Sequence, residues 1–308
     1  MNTLPPILNA GLAMIHALQS FRSPAMDGFW QAMTFMGDDR FYMLCLPVIA
    51  TTVGWFAATR IGLMVAIGGL ASELTKQYFA EPRPFATEHG LNLINATGYS
   101  LPSGHATVVV IFWGLLAAAL PHRRLTISIA VIMALLGGLS RVYLGVHYPT
   151  DVLAGWALGG TLTFLAITQW ERASMVWRQA ETRAQIGFVL LPTLFALLIP
   201  EKVFFTMGGV LAGIACGMAV ASKSMPSDLP MFATGSTGTR IIRALAGLAM
   251  ILPIYYLMAL VHPQGSIAVA SVTQWLRYFV LGVTLTCLFP YVCFRTGLAP
   301  THDRARAT

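Results

Sequence analysis

Three short stretches of this 308-residue chain hold side chains capable of catalysis: Lys76 with Arg83-Pro84, Pro102-Ser103-Gly104-His105, and Ser140-Arg141 followed by His147 and Asp151. His147 and Asp151 stand four residues apart at the start of an apolar run, so on a helix they share a face. A carboxylate there can hold one imidazole nitrogen while the other points outward, the arrangement of an activated histidine nucleophile. Arg141, six residues before His147 and across the Gly145 turn, offers a planar donor fork suited to phosphate. Lys76 and Arg83 add two more fixed cations. Together the three favour a dianion, and a phosphoryl group whose transition state spreads charge over its equatorial oxygens fits that demand. Ser103 and Gly104 open a further apolar run, where free helix N–H groups, with Gly104 permitting close approach, make an anion site. His105 then stands beside the phosphate as general acid; once neutral, it can draw a proton from attacking water. Glu73, three residues before Lys76, is expected as its supporting charge partner.

These charges lie at the ends of apolar segments, where unpaired charge is costly, and composition identifies the segments. Hydrophobic residues make up 56% of the chain, charged residues 10%, and mean hydropathy is +0.69. That leaves too little polar surface to cover a water-soluble domain of this size. The expected fold is all-α, a polytopic transmembrane helix bundle. About nine runs approach the roughly 20 residues a helix needs to cross a bilayer: 41–58, 61–80, 103–120, 125–144, 147–168, 186–200, 203–221, 240–261 and 271–294, with ends good to about four residues. Before them, Leu4, Ile7, Leu8, Leu12, Ile15 and Leu18 repeat at helical spacing and predict an amphipathic helix in the membrane interface.

The chain therefore divides into an interfacial segment 1–39, a catalytic bundle 40–170, a cytoplasmic connection 171–185, a C-terminal extension of four helices 186–294 and a cytoplasmic tail 295–308. No cleavable leader pattern opens the sequence, so the spans themselves are expected to drive insertion. Lys and Arg gather on alternate connections, around Arg60, 121–124, 172–183, 223–240 and the tail. That asymmetry puts those connections in the cytoplasm and the three catalytic stretches on the opposite face, towards a periplasm or lumen, as in a bacterial inner membrane or its equivalent. The net charge of +7 comes from these loops and forms no basic face, which argues against a nucleic-acid partner. The four cysteines lie in apolar runs with no CxxC pair, so neither a disulfide framework nor a metal site is expected.

Read together, Lys76-x6-Arg83-Pro84, Pro102-Ser103-Gly104-His105 and Ser140-Arg141-x5-His147-x3-Asp151 resemble the three-part signature of the type 2 phosphatidic acid phosphatase (PAP2) superfamily. The resemblance covers about residues 40–170. It implies a phosphatase without cofactor or metal, with His147 forming a phosphohistidine, Asp151 orienting it and His105 protonating the leaving oxygen. Lys76, Arg83, Ser103, Gly104, Ser140 and Arg141 would bind the phosphoryl group. The layout, with Gly37-Asp38-Asp39-Arg40 before the first span and helices appended after the motifs, is also similar to the glucose-6-phosphatase catalytic subunits, from which the chain departs in holding Asp151. A site at the membrane surface suits a lipid phosphate or diphosphate whose tail stays among membrane lipids. A sugar phosphate as substrate and a phosphotransferase using the same intermediate remain alternatives. Residues 186–294 carry no motif and could shape substrate entry or support a homodimer.

Overall fold

The structure, a computed structural model, describes residues 5–198, 201–224, 235–260 and 267–298. The end of the expected tail, most of the 222–239 linker and most of the 262–270 connection lie outside the described residues. Among the described residues every regular element is helical: α1 (Pro6–Gln19), α2 (Pro24–Thr34), α3 (Asp39–Thr52), α4 (Trp55–Phe79), α5 (Pro84–Thr87), α6 (Gly104–Ala119), α7 (Arg123–Tyr143), α8 (Pro149–Gln179), α9 (Thr182–Leu198), α10 (Lys202–Ser224), α11 (Thr237–Leu260), α12 (Ile267–Val283) and α13 (Phe289–Arg295). A 3-10 turn, Phe35–Gly37, follows α2, and a π turn, Thr284–Leu288, links α12 to α13.

Among the described residues six helical stretches, built on α4, α7, α8, α10, α11 and α12, are long and apolar enough to cross a membrane, as an integral membrane protein requires. The other three expected spans coincide with α3, α6 and α9, which have 14, 16 and 17 residues. At 1.5 Å per residue these reach about 21, 24 and 26 Å, short of the ~30 Å hydrocarbon core.

The chain forms two compact units, one of Met1–Phe41 with Gly68–Trp170, the other of Tyr42–Ile67 with Glu171–Thr308. In the first unit, glycines set the helix contacts. A Cβ on Gly155 would lie 2.6 Å from the Ser103 carbonyl oxygen, and one on Gly159 2.5 Å from that of Thr107. The Gly155-x3-Gly159 spacing thus lets α8 lie directly on the backbone of α6. Gly138 of α7 likewise receives the Trp156 ring. The N-terminal helix belongs to this unit: Leu8, Gly11 and Ile15 of α1 are buried, with Ile15 packed among Leu91, Ala106, Val142 and Val152, while Ile7 and Met14 stay exposed. Gln19 ties it down by donating to the carbonyls of Leu91 and Tyr143 at 2.9 and 2.8 Å.

The second unit repeats the device. Gly209, Gly213 and Gly217, one turn apart on α10, face the backbone of α12 at Trp275 and Phe279 and the side chain of Thr286. No larger residue fits these positions without separating the helices. Trp55 closes on the π turn, donating to the Leu285 carbonyl at 3.3 Å.

Candidate active site

The α6–α8 contact is what brings the second and third stretches together. Ser103 caps α6, its hydroxyl accepting from Ala106 N at 3.4 Å, and its own N–H donates to the Asp151 carbonyl at 2.9 Å. Asp151 lies one turn before Gly155, so the same close approach that Gly155 permits fixes the carboxylate. On the other side, α7 ends at Tyr143 and the chain reverses at Gly145, whose φ of +69° suits glycine and where any Cβ would strike the Leu91 carbonyl. The reversal drives Val146, His147 and Tyr148 into the interior.

His147 therefore sits in a connection between two helices, outside both, and is buried against Asp151. Its Nδ1 lies 3.2 Å from Asp151 Oδ2, which also accepts from Tyr148 N at 2.8 Å and from Ser100 Oγ at 2.5 Å. Its Nε2 lies 3.2 Å from Nη1 of Arg83. A guanidinium only donates, so Nε2 must be the acceptor and the ring proton must sit on Nδ1, facing the carboxylate. Burial first, then the neighbouring Arg83, Arg141 and Lys76 charges, push the His147 pKa well below the usual imidazole value. The result is a neutral imidazole with its lone pair turned towards cations.

Arg83 is held by three carbonyls, with Nε on Gly98 at 2.9 Å, Nη2 on Thr97 at 2.7 Å and Nη1 on Val146 at 2.9 Å. Arg141 donates through Nη1 to Thr34 Oγ1 at 2.6 Å, while its Nε is buried without a partner. Lys76 stands 3.7 Å from Glu73, which also accepts from Gln77 at 3.0 Å. These three cations are at most 9% exposed, a burial such groups seldom tolerate unless matched by negative charge. Among the described residues Glu73 and Asp151 act on Lys76 from the acidic side, against Arg83 and Arg141 from the basic side, so with Lys76 itself the pocket keeps an excess of positive charge for an anion. Gly104 keeps space open at the start of α6: a Cβ there would stand 3.3 Å from Ser72 Oγ, itself buried and unpartnered, and 4.0 Å from Lys76 Nζ. With the first N–H groups of α6, this is a ready anion cradle.

His105, half-buried on the first turn of α6, lies within electrostatic reach of Arg141, Lys76, Arg83 and Asp38. Gly37 packs flat on its ring, with no room for a Cβ. Ser140 is placed differently from the others: its hydroxyl donates to the Gly137 carbonyl at 2.6 Å, within its own helix.

The structure thus gathers Lys76, Arg83, Ser103, Gly104, His105, Arg141, His147 and Asp151 in one unit, with Glu73 behind Lys76. It adds residues that sequence reasoning missed. Ser100 holds Asp151, Thr34 holds Arg141, Gly37 backs His105 and Ser72 faces Gly104. None carries a charge, and each meets its partner through the fold; Ser72 alone had a local signal, one turn before Lys76.

Residues 57–175 match the PAP2 superfamily, and residues 205–301 match the PAP2 superfamily phosphatase, transmembrane extension. The chain is 31% identical over 172 residues to phosphatidylglycerophosphatase B of Bacillus subtilis, covering 52% of this chain and 82% of that protein. It is 34% identical over 128 residues to undecaprenyl-diphosphatase of Sulfolobus acidocaldarius, covering 40% of this chain and 61% of that one. With glucose-6-phosphatase 3 of Bos taurus the identity is 26% over 245 residues, 70% of this chain and 66% of that protein.

Proposed function

Because the chain belongs to the PAP2 superfamily, we propose that it is a membrane phosphatase removing the phosphoryl group of a lipid phosphate or diphosphate through a phosphohistidine. Nε2 of His147 attacks phosphorus as the bond to the leaving oxygen breaks, and protonated His105 gives that oxygen its proton. Water then attacks the phosphohistidine, returning a proton to His105, and cleavage of the P–N bond restores neutral His147. Lys76, Arg83 and Arg141 hold the equatorial oxygens as charge moves between attacking and leaving atoms. Asp151 stabilises the charge the imidazole acquires. No step calls for a metal.

One observation carries this reading: Arg83 Nη1 on Nε2 and Asp151 on Nδ1 commit the buried ring to the tautomer whose Nε2 lone pair faces the cations. The same reading puts the site on the periplasmic or lumenal face, from the Lys and Arg distribution, and takes α3, α6 and α9 as short additional spans. A second reading, a sugar-phosphate phosphatase, is favoured by the glucose-6-phosphatase alignment, which extends over more of the chain than the lipid-phosphatase alignments do.

Phosphate release by purified protein in chelator, from phosphatidate, phosphatidylglycerophosphate, a polyprenyl diphosphate and glucose 6-phosphate, separates the two. Turnover of lipid substrates with an acid-labile, base-stable phosphoprotein absent from His147→Ala supports the proposal. Turnover restricted to glucose 6-phosphate replaces it with the second reading, and activity that vanishes in chelator and returns with Mg²⁺ overturns the mechanism.

A further inference from the structure

The extension holds a cation that the active site does not use. Arg277 lies on α12, within a stretch apolar enough to span the membrane, and among the described residues no carboxylate stands within ion-pair distance of it. Its guanidinium carbon lies 3.7 Å from the centroid of the Tyr255 ring and 5.5 Å from that of Tyr278, contacts that fix the plane of the fork. Its Nε is buried without a hydrogen-bond partner. Beside it opens a cavity of about 160 Å³ lined by Lys202, Met258, Ala259, Thr273, Gln274 and Arg277.

The other polar groups of this cavity are already engaged. Gln274 donates to Thr206 Oγ1 at 2.9 Å, Thr206 donates to the Lys202 carbonyl at 3.0 Å, and Thr273 donates to the Val269 carbonyl at 2.8 Å. The first of these ties α12 to α10, the other two stay within their own helices, and two cationic heads are left as the dominant charge. A guanidinium in an apolar helix marks a functional site with a partner to be named, and here the partner must be an anion from outside the described chain. Size narrows it further. The cavity is about half the lower bound of ~300 Å³ for drug-sized ligand pockets, yet holds several waters' worth of space at ~30 Å³ each. That space accommodates a tetrahedral oxyanion. Tyr256, Leu257 and Leu260, which flank the lining residues along α11, are exposed and apolar, a surface along which an acyl chain can run.

We propose that Lys202 and Arg277 form a second phosphate site, separate from the catalytic residues, occupied by the phosphodiester of an anionic phospholipid or by inorganic phosphate. The test compares wild type with Lys202→Ala and Arg277→Gln in neutral detergent, following thermal unfolding as phosphatidylglycerol, phosphatidylcholine or inorganic phosphate is added. Hydrolysis of soluble p-nitrophenyl phosphate checks that each variant is folded, and phosphate binding at the catalytic residues is common to all three proteins. The phosphatidylglycerol concentration giving half the shift is expected to rise about tenfold in each variant, with phosphatidylcholine inert throughout. If the inorganic phosphate response weakens instead, the site is confirmed with free phosphate as its occupant. Unchanged half-saturation for both ligands in Lys202→Ala overturns the proposal, whether or not Arg277→Gln folds.

Discussion

Asp151→Asn is the substitution that most directly probes how His147 is made a nucleophile. Oδ2 accepts from Ser100 Oγ at 2.5 Å, Tyr148 N at 2.8 Å and His147 Nδ1 at 3.2 Å. The Tyr148 N–H is fixed backbone and cannot turn away, so the amide must keep its oxygen at that position. Shape and tautomer then survive, and what is lost is the negative charge. When Nε2 bonds to phosphorus the ring becomes cationic, with Nδ1–H facing a neutral oxygen. Unit charges 3.2 Å apart interact by about 5 kcal/mol at an effective dielectric constant near 20. A lower bound of ~1 kcal/mol follows from exchanging a charged for a neutral acceptor in one buried hydrogen bond. At 1.36 kcal/mol per decade, kcat should fall between about 5-fold and 5,000-fold. KM should hold or drop, because removing an anion leaves the phosphate pocket more positive. The assay is initial-rate phosphate release from a short-chain phosphatidate, with thermal unfolding as a check on folding. A folded Asp151→Asn protein whose kcat lies within about fivefold of wild type would refute the assignment of Asp151 as the group that stabilises the phosphorylated ring.

Thr34→Val removes the hydroxyl that receives Arg141 Nη1 at 2.6 Å and, at ~1.5 kcal/mol or more for a hydrogen bond to a charged group, should raise KM about tenfold; Thr34→Ser should restore it, and an unchanged KM denies Thr34 a positioning role. Gly37→Ala puts a methyl into the His105 ring, so a displaced general acid should lower kcat for alkyl phosphates by about tenfold or more while p-nitrophenyl phosphate, whose leaving group needs no proton, is spared. Equal losses on both substrates would count against His105 as the acid. Because the folded pKa of His147 is depressed, its ring should remain neutral as pH falls through ~6.5, where a free imidazole is half protonated. Spectra of ¹⁵N-histidine-labelled protein at pH 6.5 should show Nε2 unprotonated and Nδ1 protonated, and a doubly protonated ring would contradict the depressed value.

What could be read from sequence tracks what carries a cost. A cation or carboxylate in an apolar run is expensive, so Lys76, Arg83, Arg141 and Asp151 stood out, and the structure gathers all four around His147. Ser100, Thr34 and Gly37 cost little anywhere in a chain, and only the fold shows that Ser100 reaches 51 positions to Asp151 and Thr34 107 positions to Arg141. Ser140 shows the converse, for its place in the motif suggested a phosphate ligand while its hydroxyl donates to Gly137 of its own helix. Helix existence followed from hydropathy, but helix length did not: α3 contains Pro47 and is closed off before Gly54, whose φ is +143°, so an apolar run of 18 residues, 41–58, yields a helix of 14.

The glycines explain why the catalytic spacing works at all. Between Ser103 and Asp151 lie two helices and two connections, a stretch long enough to place the two residues almost anywhere. Gly155 and Gly159 restrict that freedom by making α8 touch the α6 backbone at Ser103 and Thr107. The Ser103 N–H then reaches the Asp151 carbonyl at 2.9 Å, and the anion cradle at the start of α6 faces the histidine one turn before Asp151. A Cβ at either position would part the helices by more than a hydrogen bond tolerates. The geometry of the phosphoryl site is therefore set by two residues with no functional group, four apart on the helix that carries the carboxylate.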